Sequence, residues 1–123
     1  SNYLEKYAQL TTLSSGNSYT MNFYNPIMKY HIVSQGGGYH AWHHEWVVSD
    51  PLTQSRVLAW HLSLTTHEEE GELEFLYQGR RIAPKAGRMI IFPAAWTHVH
   101  RGNSIRKNES EKHYLTGWWY IGI

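Results

Sequence analysis

The chain has no cysteine, which excludes a disulfide scaffold, a thiolate metal site and a cysteine nucleophile. That composition fits a reducing cytoplasm. It also lacks any apolar run near the roughly 20 residues of a membrane span, and no signal-peptide pattern is visible. A cytoplasmic protein without a membrane partner is therefore expected. Charge of one sign is missing too: the formal net charge is +1 with histidines neutral, and no long basic run occurs. A dense cationic face for nucleic acid is not suggested, and no nucleic-acid partner is expected.

What the sequence does contain is aromatic. Six Trp, nine Tyr and nine His in 123 residues favour pleated, half-buried surfaces, and the length suits one domain with a single core. Residues 2–13 place Leu4, Tyr7 and Ala8 on one helical face, so a short N-terminal helix is expected there. The Ser-, Gly- and Asn-rich stretch 14–26 reads as loop. Strands are expected over 27–34, 39–48 and 56–66. In the last of these Leu58, Trp60, Leu62 and Leu64 alternate with Val57, Ala59, His61 and Ser63. The segment SDPLTQS at 49–55 is turn chemistry, and the acidic run HEEEGE at 67–72 reads as a solvated loop. Short strands then recur (ELEFLY, RRIAP, GRMIIF, WTHVH, HYLTGWWYI), punctuated by turn residues. Many short strands at near-regular spacing imply a sandwich or jelly roll. The expectation is a single domain over 1–123, with helix and loop support at 1–26 and a jelly-roll core at 27–123.

Residues two apart on a strand face the same side, so His43 and Glu45 would project together with Tyr39. An imidazole nitrogen and a carboxylate oxygen are two arms of a divalent-metal site. The natural third is His98 in WTHVH, with His100 on the same face as the alternative. Two His and one carboxylate on one face of an octahedron are the facial triad of non-haem Fe(II) oxygenases, which keep positions open for a cosubstrate and dioxygen. Closed structural zinc sites prefer four ligands, often with Cys. His40, His61, His67 and His113 read as structural or solvated.

From Gly38 onward the chain resembles the prolyl-4-hydroxylase-like branch of the 2-oxoglutarate/Fe(II) oxygenases, including compact bacterial and phage members. The resemblance rests on GYHAWHHEW at 38–46, RVLAWHLSL at 56–64, GELEFLYQ at 71–78, RIAPKAGRMIIFPAAWTHVHRGN at 81–103 and KHYLTGWW at 112–119. It implies a double-stranded β-helix, cupin-like in architecture. It also implies Fe(II) on His43, Glu45 and His98, and 2-oxoglutarate as cosubstrate with its distal carboxylate gripped by Lys112. Tyr39, on the ligand face, becomes a candidate for lining the cosubstrate pocket or the core. Arg56 matches a family position without a derivable role. The implied reaction uses dioxygen to hydroxylate an unactivated C–H bond of a peptide (a prolyl residue among them) or a small molecule. Succinate and CO2 leave, ascorbate supports turnover, and the setting is the cytoplasm of a bacterium or a phage-infected host. The sequence departs from the pattern in carrying Glu45 where Asp is commoner, Leu73 where Thr is usual, and a longer gap from His98 to Lys112. Gly87 to Asn103 also resembles the second cupin motif. Two alternatives stay open: a cupin-type metalloenzyme without 2-oxoglutarate, and a non-catalytic jelly roll that binds through its aromatics.

Overall fold

Long runs of aromatic and β-branched residues need two pleated faces to bury, and the segment KHYLTGWWYIG supplies the longest of them as strand Lys112–Gly122. The computed structural model describes residues 22–107 and 110–122; the helix expected over 2–13 lies outside them. In chain order the strands are β1 (Asn22–Tyr24), β2 (Met28–Val33), β3 (Arg56–Ser63), β4 (Leu73–Phe75), β5 (Arg80–Ile82), β6 (Met89–Pro93), β7 (His100–Gly102) and β8 (Lys112–Gly122). Two short 3-10 turns, Pro51–Ser55 and Trp96–His98, complete the set. Among the described residues there is no α-helix, and no helix long and apolar enough to cross a membrane.

Five strands form one antiparallel sheet in the order β1-β8-β3-β6, with β2 also pairing along β8. β1 meets the far end of β8 (Tyr24 opposite Tyr120) and β2 its start (Val33 opposite Lys112). A second sheet has the order β5-β4-β7. Ala59 and Trp118 from the first sheet, with Phe92, pack against Leu73 and Phe75 of the second, making the core between them. Phe75 and Phe92 meet edge-to-face at 5.0 Å, a geometry aromatic quadrupoles favour. This is a mostly-β, two-sheet jelly-roll arrangement, as the strand spacing implied.

β3 alternates as the sequence reads, yet it has no solvated face. Leu58, Trp60 and Ala59 are all buried, as are His61 and Ser63. Centrality explains this, because β3 lies between β8 and β6 and a central strand can bury both sides. Trp60 lies across from Gly117, where a Cβ would overlap its indole ring. Gly117→Ala is therefore expected to cost about 1–3 kcal/mol of stability through overpacking, read as a lowered midpoint in urea. A midpoint unchanged from the parent would show that the indole can move aside.

The turn expected at 49–55 is built as read. The Asp50 side chain accepts the Leu52 N–H, and Pro51 occupies the first turn, where a missing N–H costs nothing. Buried Thr53 accepts the Val47 N–H at 2.7 Å. Together these deliver the chain into Arg56 at the head of β3.

Candidate metal centre

The stretch expected as a strand over 39–48 does not form one: it makes only isolated bridges, at His43 and Val47, and its backbone partners change midway. His43 exchanges both backbone hydrogen bonds with His100 (3.0 and 2.8 Å), and the Gly102 N–H donates to Tyr39. Two residues later the Glu45 N–H donates to Ala94, just past the end of β6. His43 is thus fixed to the small sheet through β7, and Glu45 to the end of the large one. Arg56 reinforces the second anchor: its guanidinium donates to the Glu45 carbonyl at 2.9 Å and to the Tyr120 hydroxyl at 2.9 Å, while stacking 3.9 Å over Trp118.

Ligand-type atoms of His43, Glu45 and His100 lie within 4.8 Å of one another. Each histidine is oriented by a backbone carbonyl. His43 Nδ1 donates to Ala41 and His100 Nδ1 to His98, both at 2.8 Å. A carbonyl only accepts, so each Nδ1 carries the proton and each Nε2 is left to present its lone pair. Metal-bound imidazoles are held in this way. His100 Nε2 sits 3.2 Å from Glu45 Oε1, and a lone pair facing a carboxylate at that distance calls for positive charge between them. A proton or a divalent cation supplies it.

The local electrostatics suit a cation. Burial pushes the Glu45 carboxyl up, but its contact with His100 and the neighbouring His43 and Arg56 side chains outweigh this and hold it below the usual range. Burial lowers His43, so its imidazole is neutral near pH 7. Two imidazole nitrogens and one carboxylate fit a divalent metal such as Fe(II), and their number leaves coordination positions open.

His98, expected as the third member, is not in this group. Its ring lies partly exposed beside Phe75 (6.2 Å), with Nδ1 on the Thr97 hydroxyl at 2.9 Å. The reason is the 3-10 turn at Trp96–His98, after which β7 begins at His100. WTHVH is not one continuous strand, and the cluster takes His100 rather than His98. His98 contributes its carbonyl, which orients His100. The gap to Lys112, long when counted from 98, shortens by two residues when counted from 100.

His43, Glu45 and His100 line a cavity of about 650 Å³, and Lys112 lines it too. Lys112 is 3% exposed, its Nζ donates to the Gly71 carbonyl at 3.1 Å, and it lies 4.8 Å from the centre of the Tyr114 ring. Burial lowers its pKa to about 8, offset in part by Glu72. Among the described residues no carboxylate forms an ion pair with it. Next to it His31 and His61 sandwich Tyr114 at 4.5 and 4.4 Å, nearly parallel. Burial, then the nearby Lys112 charge, lowers His61 to about 3, so this wall is uncharged. Tyr39 stands at the mouth, 62% exposed, with its ring against His43 at 4.5 Å.

The sequence model of the 2OG-Fe(II) oxygenase superfamily matches residues 27–120. The chain belongs to this superfamily. It is therefore a member of an enzyme family whose chemistry uses Fe(II) and 2-oxoglutarate. Among solved structures it is similar to an oxidoreductase of the 2OG-Fe(II) oxygenase family from Burkholderia pseudomallei (18% identity, TM-score 0.64, 83% of this chain and 47% of that one). It is similar to the viral collagen prolyl hydroxylase of Paramecium Bursaria Chlorella virus-1, solved with 2OG (18%, 0.67, 99% and 70%). It is also similar to a Pseudomonas putida prolyl-4-hydroxylase (21%, 0.61, 78% and 53%). At such identities the likeness is one of fold, that of the 2OG oxygenases. The chain spans about half the length of the Burkholderia protein. A comparison with curated proteins finds no match.

Three residues that shape the site or its surroundings are not singled out by sequence alone. His100 was offered only as an alternative to His98, and parity along a presumed strand could not separate them. Arg56 is recognisable as a family position, but its grip on the Glu45 carbonyl needs the fold. The acid Glu70, taken up below, is one of three successive glutamates with nothing local to single it out.

Proposed function

We propose that the chain is the catalytic core of an Fe(II)- and 2-oxoglutarate-dependent hydroxylase, with the metal on His43, Glu45 and His100 and the distal carboxylate of 2-oxoglutarate on Lys112. One observation carries this reading: two imidazole Nε2 atoms, one carboxylate and a buried ammonium that has no carboxylate ion-pair partner among the described residues face the same cavity. A buried cation without a counter-charge is costly, and a diacid cosubstrate would complete it.

When bound, the metal with 2-oxoglutarate and dioxygen supplies the oxidising power to convert a C–H bond to C–OH, one oxygen atom entering succinate and the other the product, with CO2 released. The residues do the rest. Arg56 and the Ala94 carbonyl fix the Glu45 backbone; the Ala41 and His98 carbonyls fix the two imidazoles. Lys112 orients the diacid, and the His31–Tyr114–His61 wall limits water around it. The substrate enters past Tyr39. A peptidyl residue, proline first, is the leading candidate, because two similar structures are prolyl hydroxylases.

Purified protein supplied with Fe(II), 2-oxoglutarate and ascorbate is expected to release succinate slowly even without a primary substrate, and chelation of the metal should stop it. Absence of succinate, together with no change in visible absorption when Fe(II) and 2-oxoglutarate are combined with the protein under anaerobic conditions, would overturn the reading.

A further inference from the structure

The acidic run at 67–72 was expected to be solvated, and Glu68 and Glu69 are exposed. Glu70 is not: it is 2% exposed. Its Oε2 accepts the backbone N–H groups of Arg106 and Lys107, both at 2.9 Å. Its Oε1 accepts the Ser110 hydroxyl at 3.0 Å and lies 3.4 Å from His67 Nδ1. The network continues through His67 Nε2 to the Thr65 hydroxyl at 2.7 Å, and Thr65 accepts the His113 N–H at 3.1 Å. Four groups of the β7–β8 connection and of β8 itself are thus tied to one turn.

That turn also moulds Lys112. Gly71 has φ +66°, a conformation glycine adopts without strain. Its N–H donates to Ser104, and its carbonyl receives the Lys112 ammonium. A Cβ at Gly71 would lie 2.7 Å from Ile105 Cδ1 and 3.2 Å from Lys112 Cδ. The lysine stem therefore runs directly over the backbone that Glu70 fixes. Burial pushes the Glu70 carboxyl up, yet the two backbone N–H groups, Ser110 and His67 outweigh it and bring it to about 2, so this carboxyl is ionised near neutral pH.

We infer that Glu70, with His67 and Ser110, is a positioning clasp that sets Lys112 for the distal carboxylate of the cosubstrate. This rests on the role given to Lys112 above. A neutral amide at 70 keeps the shape but turns one donor towards Ser110 and His67, loosening the turn under the lysine. The effect belongs to cosubstrate binding rather than to the chemical step.

The test is succinate release by the Fe(II)-loaded protein, titrated with 2-oxoglutarate. Glu70→Gln is expected to raise KM about tenfold, the equivalent of one hydrogen-bonded charge contact, with kcat within about twofold. Ser110→Ala, which removes one member and keeps the acid, should shift KM the same way by less. 2-Oxobutanoate, which has no distal carboxylate, should bind the parent and the variants equally, as measured by its competition against 2-oxoglutarate. Lys112→Ala is the control. If it leaves KM unchanged, the Lys112 assignment fails and the clasp with it. If Lys112→Ala raises KM while both clasp variants lower only thermal stability, Glu70 is merely structural and the inference is overturned.

Discussion

Replacing His100 by alanine is expected to abolish iron-dependent succinate release, whereas His98→Ala should retain most of it. The two residues are the same type, two positions apart, and only one presents its free nitrogen to Glu45. Loss of His100 removes one of three ligand-type groups, so the effect should exceed the roughly 10–100-fold typical of groups that only orient a ligand. His98→Ala removes a ring that touches Phe75 and Thr97 but keeps the backbone carbonyl that orients His100. A change within about threefold is expected, below that roughly 10–100-fold range. Iron retained after loading and desalting gives a readout separate from turnover: near-stoichiometric for the parent and His98→Ala, close to zero for His100→Ala. Since His100 is 4% exposed, its removal also opens a hole beside Phe92. A thermal melt therefore has to accompany the iron measurement, and His100→Gln serves as a closer match in volume. The reverse pattern, with iron lost on changing residue 98 and kept on changing 100, would return the third position to the turn.

This contrast marks where sequence stops being informative. Short apolar and aromatic runs set off by turn residues are a local signal, and they located β2, β3, β4, β5, β6 and β8 within a few residues, whereas β1 (Asn22–Tyr24) lies in the stretch 14–26 that reads as loop. Which member of WTHVH faces the cavity is not local. It depends on a 3-10 turn that resets the phase of the chain before β7, and on the backbone pairing of His43 with His100. The pair His43 and Glu45 could be suspected from spacing. Yet they reach one place by leaving the strand they were expected to share, since Glu45 is anchored to Ala94 and Arg56 and His43 to β7. Glu70 illustrates the limit most sharply. Glu68, Glu69 and Glu70 are equivalent as letters, but positive φ at Glu69 (57°) and Gly71 (66°) turns only the third inward. Lys112 was named through family resemblance; that no carboxylate among the described residues pairs with it became visible only with the fold.

That unpaired charge leads to the second large effect. Lys112→Met keeps the length and apolar stem while deleting the ammonium, and it should separate stability from function. Removing one partner of a buried charge pair typically costs about 3–5 kcal/mol, and each 1.4 kcal/mol is tenfold, so KM for 2-oxoglutarate should rise by about 10²-fold or more. Without the diacid the same substitution relieves an uncompensated buried cation, and the melting temperature should stay level or increase. Protonation gives an independent check with a definite sign. In the folded chain Lys112 titrates near 8, against an ordinary value of 10.5, so between those pH values the unfolded chain binds more protons at this residue. Its contribution to stability is therefore least favourable below pH 8 and improves as pH rises towards 10.5. Cosubstrate binding should move oppositely: KM for 2-oxoglutarate is expected to climb above about pH 8 as the free enzyme loses the ammonium, and Lys112→Met should flatten this limb. Stability and KM curves that keep their shape in the Met variant would mean that some other group titrates, and Lys112 would lose its place as the carboxylate's partner.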